Sequence, residues 1–304
     1  MANTFLEMTR ALRLHVPQLD EFLAQQFVRD RYRIILERRD WSGLRAEGEF
    51  LLDAAKTTGT VAVTNNSLSV IGTGTAFAST DVGRQFKAGA GSPVYTIATY
   101  VSPTSVTLDR VWGGTTQATA TFFIFDGYLT APADFKRFIV VVDPKTGYRL
   151  RHWVSQDELL RVDPQRNFFG TPYALIDRRF NASGRVQYEA WPYSASQRSL
   201  PHFYVKQGED LVDDDDVPIW PIRSDVIVTG ALADVCRWPG TKDNPNLTFG
   251  KMDIYESYRK EFEDKLVDLE RQDENIYATW LTGQDWASWP WAPWSANWMQ
   301  SHAF

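Results

Sequence analysis

The chain has 304 residues, of which 43% are hydrophobic and 23% charged, with a formal net charge of −6 and a single cysteine. That length allows two modest domains or one large one with an insertion, and the composition excludes a disordered chain. The acidic balance argues against general coating of nucleic acid, the lone Cys236 excludes an intrachain disulfide framework, and no stretch approaches the roughly 20 apolar residues of a bilayer span.

The opening residues lack the continuous apolar core of a signal peptide, so a soluble protein folding in a reducing cytoplasm is expected. The first fifty residues read as helices. Thr4 is a candidate N-cap for "FLEMTRALRL", and Pro17 separates that segment from a second one. There Leu19, Phe22, Leu23, Phe27, Tyr32 and Ile35 recur at helical spacing and read as a core-facing stripe. The arginine-rich run from Arg29 to Trp41 leaves room for a local basic patch.

At Lys56 the texture changes to Thr, Val, Gly and Ser. Short β-prone runs at 61–64, 68–71, 95–100, 106–108 and 121–125 alternate with turn signals such as Asn65-Asn66, Gly72 to Gly74, Gly89 to Gly91 and Gly113-Gly114. This predicts a small antiparallel barrel or sandwich inserted over 56–126. A mixed, aromatic-rich β region follows over 127–216, with strands in "RFIVVVDP", "GYRLRHWV", "PYALIDRR", "RVQYEAWPY" and "LPHFYVKQ". Within it "SQDELLRV" predicts a short helix with Ser155 as N-cap and Glu158 three residues on, and "NASG" a hairpin turn.

Ser224 is expected to cap a helix over about 225–237 that ends before Pro239-Gly240. The longest helix is expected next. Tyr255, Tyr258, Phe262, Leu266, Leu269, Ile276 and Trp280 share one face, with Glu256–Lys260 and Glu261–Lys265 as supporting pairs on the other. Its stripe must be covered, and the N-terminal helices are the natural cover. The fold class expected is therefore α+β: a discontinuous helical bundle from residues 1–55 and 217–280, the inserted β domain, the further mixed β region, and a tryptophan-rich arm over 281–304.

Chemistry is hard to find. His15, His152, His202 and His302 lie in unrelated textures without metal-ligand spacing. "GTGT" at Gly72 to Thr75 lacks the Lys and Ser/Thr of a phosphate loop and reads as a turn. Cys236 sits in an apolar helix as an inert thiol. Asp213 to Asp216 are adjacent, so an extended chain points them to opposite sides and they cannot all face one cation; they read as a solvated loop. No catalytic, metal or cofactor residue is assigned, and no enzyme activity is expected.

Three stretches in this order carry a resemblance: the helical start "LRLHVPQLDEFLAQQFVRDRYRIILERRDW"; the β insertion, similar to small domains of phage virion proteins; and "QYEAWPYSASQRSLPHFYVKQGEDLVDDDDVPIWPIRSDVIVTGALADVCR", a hairpin, an acidic loop and a Pro-rich turn launching a helix. Together they resemble a head-to-tail connector (adaptor, neck) protein of a tailed bacteriophage. That resemblance implies a structural virion protein made in the host cytoplasm and placed at the head–tail junction. Identical copies would form a ring, a dodecamer on the portal's symmetry, bound to the portal protein and to the next tail component. DNA would be only channel cargo, and no membrane is involved. Two other readings stay open, a receptor- or carbohydrate-binding virion protein and a cell-wall hydrolase.

Half of the twelve tryptophans stand at or after Trp280. Two prolines and the lack of a basic face argue against a membrane helix or a nucleic-acid platform for this segment. Trp280, Trp286, Trp289, Trp291, Trp294 and Trp298 are the candidate partner-binding residues, as indole anchors for another subunit or the portal. Folding back onto the chain's own β region is the alternative.

Overall fold

The computed structural model describes residues 3–281 apart from 90, 182 and 244, and no side chain at 153, 179 or 275–281. The fold is α+β. The chain separates into a unit made of 1–45 with 208–304 and a unit made of 46–207.

The first unit is helical. Thr4 opens α1 (Phe5–His15) with a complete capping box: its hydroxyl accepts from Glu7 N at 3.3 Å and Glu7 Oε2 accepts from Thr4 N at 3.1 Å. The next two orphan donors, Phe5 N and Leu6 N, reach Asp216 O and Asp214 O at 2.7 and 3.1 Å. The acidic run thus serves α1 through its backbone. Its Asp216 carboxylate accepts from Val212 N and Asp213 N, which holds its pKa below the usual carboxylate range.

Asp20 caps α2 (Glu21–Arg38), whose buried face is Ala24, Val28, Tyr32, Ile35 and Leu36. The expected stripe is corrected here. Tyr32 and Ile35 belong to it, but Phe22 lies mainly in solvent, and Leu23 and Phe27 are only half-buried. Spacings of three to five had mixed two faces, and the small Ala24 marks the true line of close packing. Residues 45–52 also depart from the helical reading. They form a strand, because Gly48 and the alternating burial at the end of "RAEGEFLL" suit a pleated partner better than a helix.

Downstream, α4 will denote Ser224–Val235 and α5 Met252–Leu281, after a short α3 (Gln156–Val162) in the other unit. Ser224 is the first helical residue of α4 rather than its cap; the cap position is Arg223, whose guanidinium turns onto Asp225. On α5, Phe262, Leu266 and Leu269 are buried as the sequence predicts, while Tyr255 and Tyr258 are half-buried and Lys265 pairs with Glu261 at 2.7 Å. Asp273 continues the same face and is fully buried, accepting from the backbone N–H and hydroxyl of Ser42 with Arg39 beside it.

Helix directions follow from these partners. Arg31 lies 4.8 Å from the Phe262 ring, Arg38 pairs with Glu263 and Glu270, and Arg39 reaches Glu274. Residue numbers rise together, so α2 and α5 run parallel. Lys265 donates to Thr229 at 2.8 Å while Tyr255 and Cys236 line one groove, so α4 runs antiparallel to α5.

The second unit is built of strands, in chain order β1 (Arg45–Leu52), β2 (Thr60–Val63), β3 (Ser69–Thr73), β4 (Gln85–Ala88), β5 (Tyr95–Ser102), β6 (Ser105–Leu108), β7 (Gln117–Ala120) and β8 (Phe122–Phe125). There follow β9 (Tyr128–Thr130), β10 (Phe135–Asp143), β11 (Tyr148–Arg149), β12 (Arg151–Val154), β13 (Ala174–Phe180), β14 (Val186–Trp191) and β15 (Arg198–Lys206). The sheets are β7-β2-β3-β6-β5-β4-β8, β12-β13-β14-β9 and β1-β15-β10-β11. In the first, β7 and β8 are separated by one residue yet occupy opposite edges, so the antiparallel sheet curls around Val61, Val70, Phe86, Ile97, Trp112 and Phe122. The strands at 85–88 and 128–130 escaped the sequence reading: the first buries the polar Gln85 and Lys87, and the second has only three residues. The helix α3 starts where expected, with Ser155 Oγ accepting from Glu158 N. Among the described residues no helix is long and apolar enough to cross a membrane.

Gly230 lets α4 approach its neighbours: a Cβ there would stand 2.6 Å from Arg31 Cδ and 2.8 Å from Phe262 Cδ2. Alanine ordinarily favours a helix over glycine by about 1 kcal/mol. Overpacking of about 1–3 kcal/mol outweighs that here. Gly230→Ala should therefore lower the urea midpoint of the full chain; a raised midpoint would contradict this packing.

Candidate functional site

The sequence assigned partner binding to Trp280, Trp286, Trp289, Trp291, Trp294 and Trp298. Trp280 falls within α5, but its side chain, like the whole of 282–304, lies outside the described residues. What is described is the end of the helical unit from which α5 starts. Because α2 and α5 are parallel and α4 antiparallel, this end gathers the turn between α1 and α2, the C-terminus of α4 and the loop leading into α5. Large apolar side chains face solvent there: Leu14 is 82% exposed and Leu247 67%, with Phe22, Phe249 and Met252 also exposed.

Beside them is a groove of about 450 Å³ lined by Cys236, Arg237, Phe249, Gly250, Lys251, Met252 and Tyr255. Its frame is rigid. Asn246 donates through Nδ2 to Val235 O and Trp238 O at 2.9 and 2.7 Å and accepts from Thr248 N, tying the loop to the end of α4. Cys236 stands at the C-cap of α4 rather than within it, and burial pushes its thiol pKa up, so it is a poor nucleophile.

The β unit holds a second constellation, polar this time. Glu189 on β14 is completely buried and takes Arg178 Nη1 on one oxygen at 2.9 Å, and Arg166 Nε at 3.3 Å with the Tyr193 hydroxyl on the other. Burial beside that carboxylate pushes the Tyr193 phenol far up, so it remains a donor. The Arg178 guanidinium lies 3.8 Å from the Tyr128 ring centroid. Arg166 sits in the left-handed backbone region, φ 55°, on a loop held from below. There Asp163 accepts from Asn167 N, Phe168 N and Trp191 Nε1 at 2.8, 3.0 and 3.1 Å, and the buried Lys87 donates to Gln165 O and Asn167 Oδ1. These residues line or underlie a cleft of about 350 Å³. Their numbers span Lys87 to Tyr193 without any short motif, so only the topology assembles them.

The histidines are partly gathered. The rings of His152 and His202 stand 5.9 and 5.3 Å from that of Phe138, and His202 also stacks on Phe50 at 4.2 Å. Among the described residues no three His, Cys, Asp or Glu side chains converge as a metal site requires. No protein-family model matches the chain, and no curated protein matches it by sequence.

Burial lowers the pKa of both imidazoles below the ordinary 6.5. The unfolded chain therefore binds protons near pH 6.5 that the folded chain refuses, and stability present above that pH is lost as pH falls below it. His202 is the stronger case, since its Nε2 is buried without a hydrogen bond and its Nδ1 faces Leu200 O at 3.3 Å. Denaturation of the full chain between pH 7.5 and 5.5 should show stability falling as pH falls, with a slope of at most about 1.4 kcal/mol per pH unit for each such histidine. His202→Phe should flatten it; an unchanged slope in that variant would remove His202 as the cause.

Proposed function

We propose that the chain is a structural virion protein: a head-to-tail connector (adaptor, neck) subunit of a tailed bacteriophage, whose identical copies form a ring beneath the portal and extend the DNA channel. The observation that carries this reading is the exposed apolar end of the helical unit. A monomer gains nothing by placing Leu14, Phe22, Leu247, Phe249 and Met252 in water beside an apolar-lined groove. Such surface marks a protein interface.

A ring needs two different patches on each subunit, each meeting the other on a neighbour. The groove is one. The other is the tryptophan-bearing stretch after α5, whose 30 residues carry the chain about 45 Å from the groove at 1.5 Å per residue. Docking of that stretch in the groove of a neighbouring copy makes the contact head-to-tail. Indoles in a desolvated groove are the residues that dominate interface energies. The helical segments at the two ends of the chain then act as a discontinuous bundle forming the ring body. The curled sheet, read as a small inserted β-barrel, and the mixed β region supply further surface for the next tail component. A net charge of −6 suits a channel wall from which DNA must slide. The portal and the tail component remain the expected partners, the virion the expected location, and the dodecamer the expected stoichiometry.

The test is native mass spectrometry of the chain alone and mixed with a portal protein. The wild type should give closed oligomers or a portal complex. Phe249→Asp with Met252→Asp alters two exposed side chains, so it should leave the melting temperature unchanged while reducing the protein to monomer. Deleting everything after Gly283 should do the same. Rings of unchanged size from both variants would refute the reading.

A further inference from the structure

The polar cleft of the β unit has no part in the connector reading, and it is built more elaborately than a fold requires. We propose that it is a binding site for an oxyanion, the carboxylate or phosphate group of a small ligand about the size of a monosaccharide. Gly91, Ser92, Val94, Tyr128, Arg166 and Arg178 are among the residues that line it, and it encloses about 350 Å³. That volume lies at the lower end of the range for small-molecule pockets.

Charge is the first argument. Among the described residues, Lys87, Arg166 and Arg178 meet the carboxylates of Asp163 and Glu189, three cations against two anions. A single arginine would neutralise the buried Glu189. A second cation partly withdrawn from water is disfavoured unless a further anion meets it. Arg166 and Arg178 keep 15% and 27% of their side-chain surface exposed, enough for a ligand entering the cleft to reach them.

Preorganisation is the second argument. Glu189 holds the two guanidiniums from one side, and the Tyr128 ring supports the face of Arg178, so neither fork is free to swing away. The Arg178 Nε is buried and makes no hydrogen bond. Arg166 adopts a left-handed backbone that a side chain rarely tolerates, φ 55°, and the loop bearing it is clamped by Lys87 and Asp163. Strain of this kind, held in place by buried supports beneath a cleft, is characteristic of ligand sites. The guanidinium pair specifies the ligand's chemistry through its charge: Arg166 already gives Nε to Glu189 and Nη1 to Pro164 O and Arg178 gives Nη1 to Glu189, and the cationic ends left toward the cleft attract an oxyanion and not a neutral sugar.

The test is isothermal titration of the full chain with inorganic phosphate and, separately, with succinate, in about 0.15 M salt so that diffuse surface attraction is screened. One saturable site per chain is expected for at least one of the two. Phosphate alone would identify a phosphoryl ligand and succinate alone a carboxylate ligand. Gly91→Asp places a carboxylate at the rim, and a Cβ at Gly91 meets nothing within 4 Å, so this variant should fold normally and bind at least tenfold more weakly. Arg166→Lys keeps the charge on Glu189 but removes one fork, and should weaken binding by a similar factor. Absence of a stoichiometric site for both probes, or equal binding by Gly91→Asp, would overturn the proposal. Neither result bears on oligomerisation, so this inference and the connector reading fail separately.

Discussion

The hydrogen-bonded pairing of β1 with β15 is the constraint on which the architecture rests. These are the first and last strands of the β unit, and they lie side by side in one sheet. The contacts of Phe50 with His202 and of Glu49 with Ser199 knit the same two strands through side chains. Without this pairing, joining the helical segments would mean closing a loop such as that between Arg33 and Asp210, 177 positions apart. For a flexible chain that closure costs roughly 5 kcal/mol. Folding of the β unit absorbs it, because the chain enters and leaves through neighbouring strands. Gly48 is part of the mechanism: a Cβ there would lie 2.5 Å from His202 Nε2, so no other residue allows the two strands this approach without displacing the imidazole.

Once the segments are together, α2 becomes the seam of the helical unit. Its arginines take partners from every later segment: Arg29 the carbonyl of Leu211, Arg33 Asp210, Arg31 Asp234, and Arg38 and Arg39 the acids of α5. The exposed pairs among these add a few tenths of a kcal/mol each at most and mainly fix register. The apolar stripes supply the stability. What reads in the sequence as a potential basic patch is therefore largely an internal electrostatic seam, which removes the clearest reason to look for nucleic acid on that face.

Elements with a strong local signal were legible. Thr4 with Glu7 and Ser155 with Glu158 announce helix starts by capping chemistry, and the Phe262-Leu266-Leu269 face of α5 by period alone. Elements defined by distant partners were not. The strand at 45–52 looks helical until β15 is present to pair with it, and β4 buries the polar Gln85 and Lys87. The stripe of α2 was misread because Phe22 and Phe27 outweigh the small Ala24 on any hydrophobicity count, although packing density favours the small residue. The polar cleft was invisible for a simpler reason. Arg166, Arg178 and Glu189 are ordinary charged residues in a loop and two strands, and only the approach of that loop to the paired β13 and β14 makes them a cluster. Their one local signature is the left-handed conformation at Arg166, which a sequence does not display.

The connector reading requires that the apolar end of the helical unit be covered by protein when the chain is assembled. Hydrogen–deuterium exchange, compared between dilute monomer and the assembled form, measures this directly. The reading predicts slowed exchange in the loop over 246–251 and in the α1–α2 turn over 15–20, with the rim of the polar cleft at 91–94 unchanged. Equal exchange at 246–251 in both forms would contradict it.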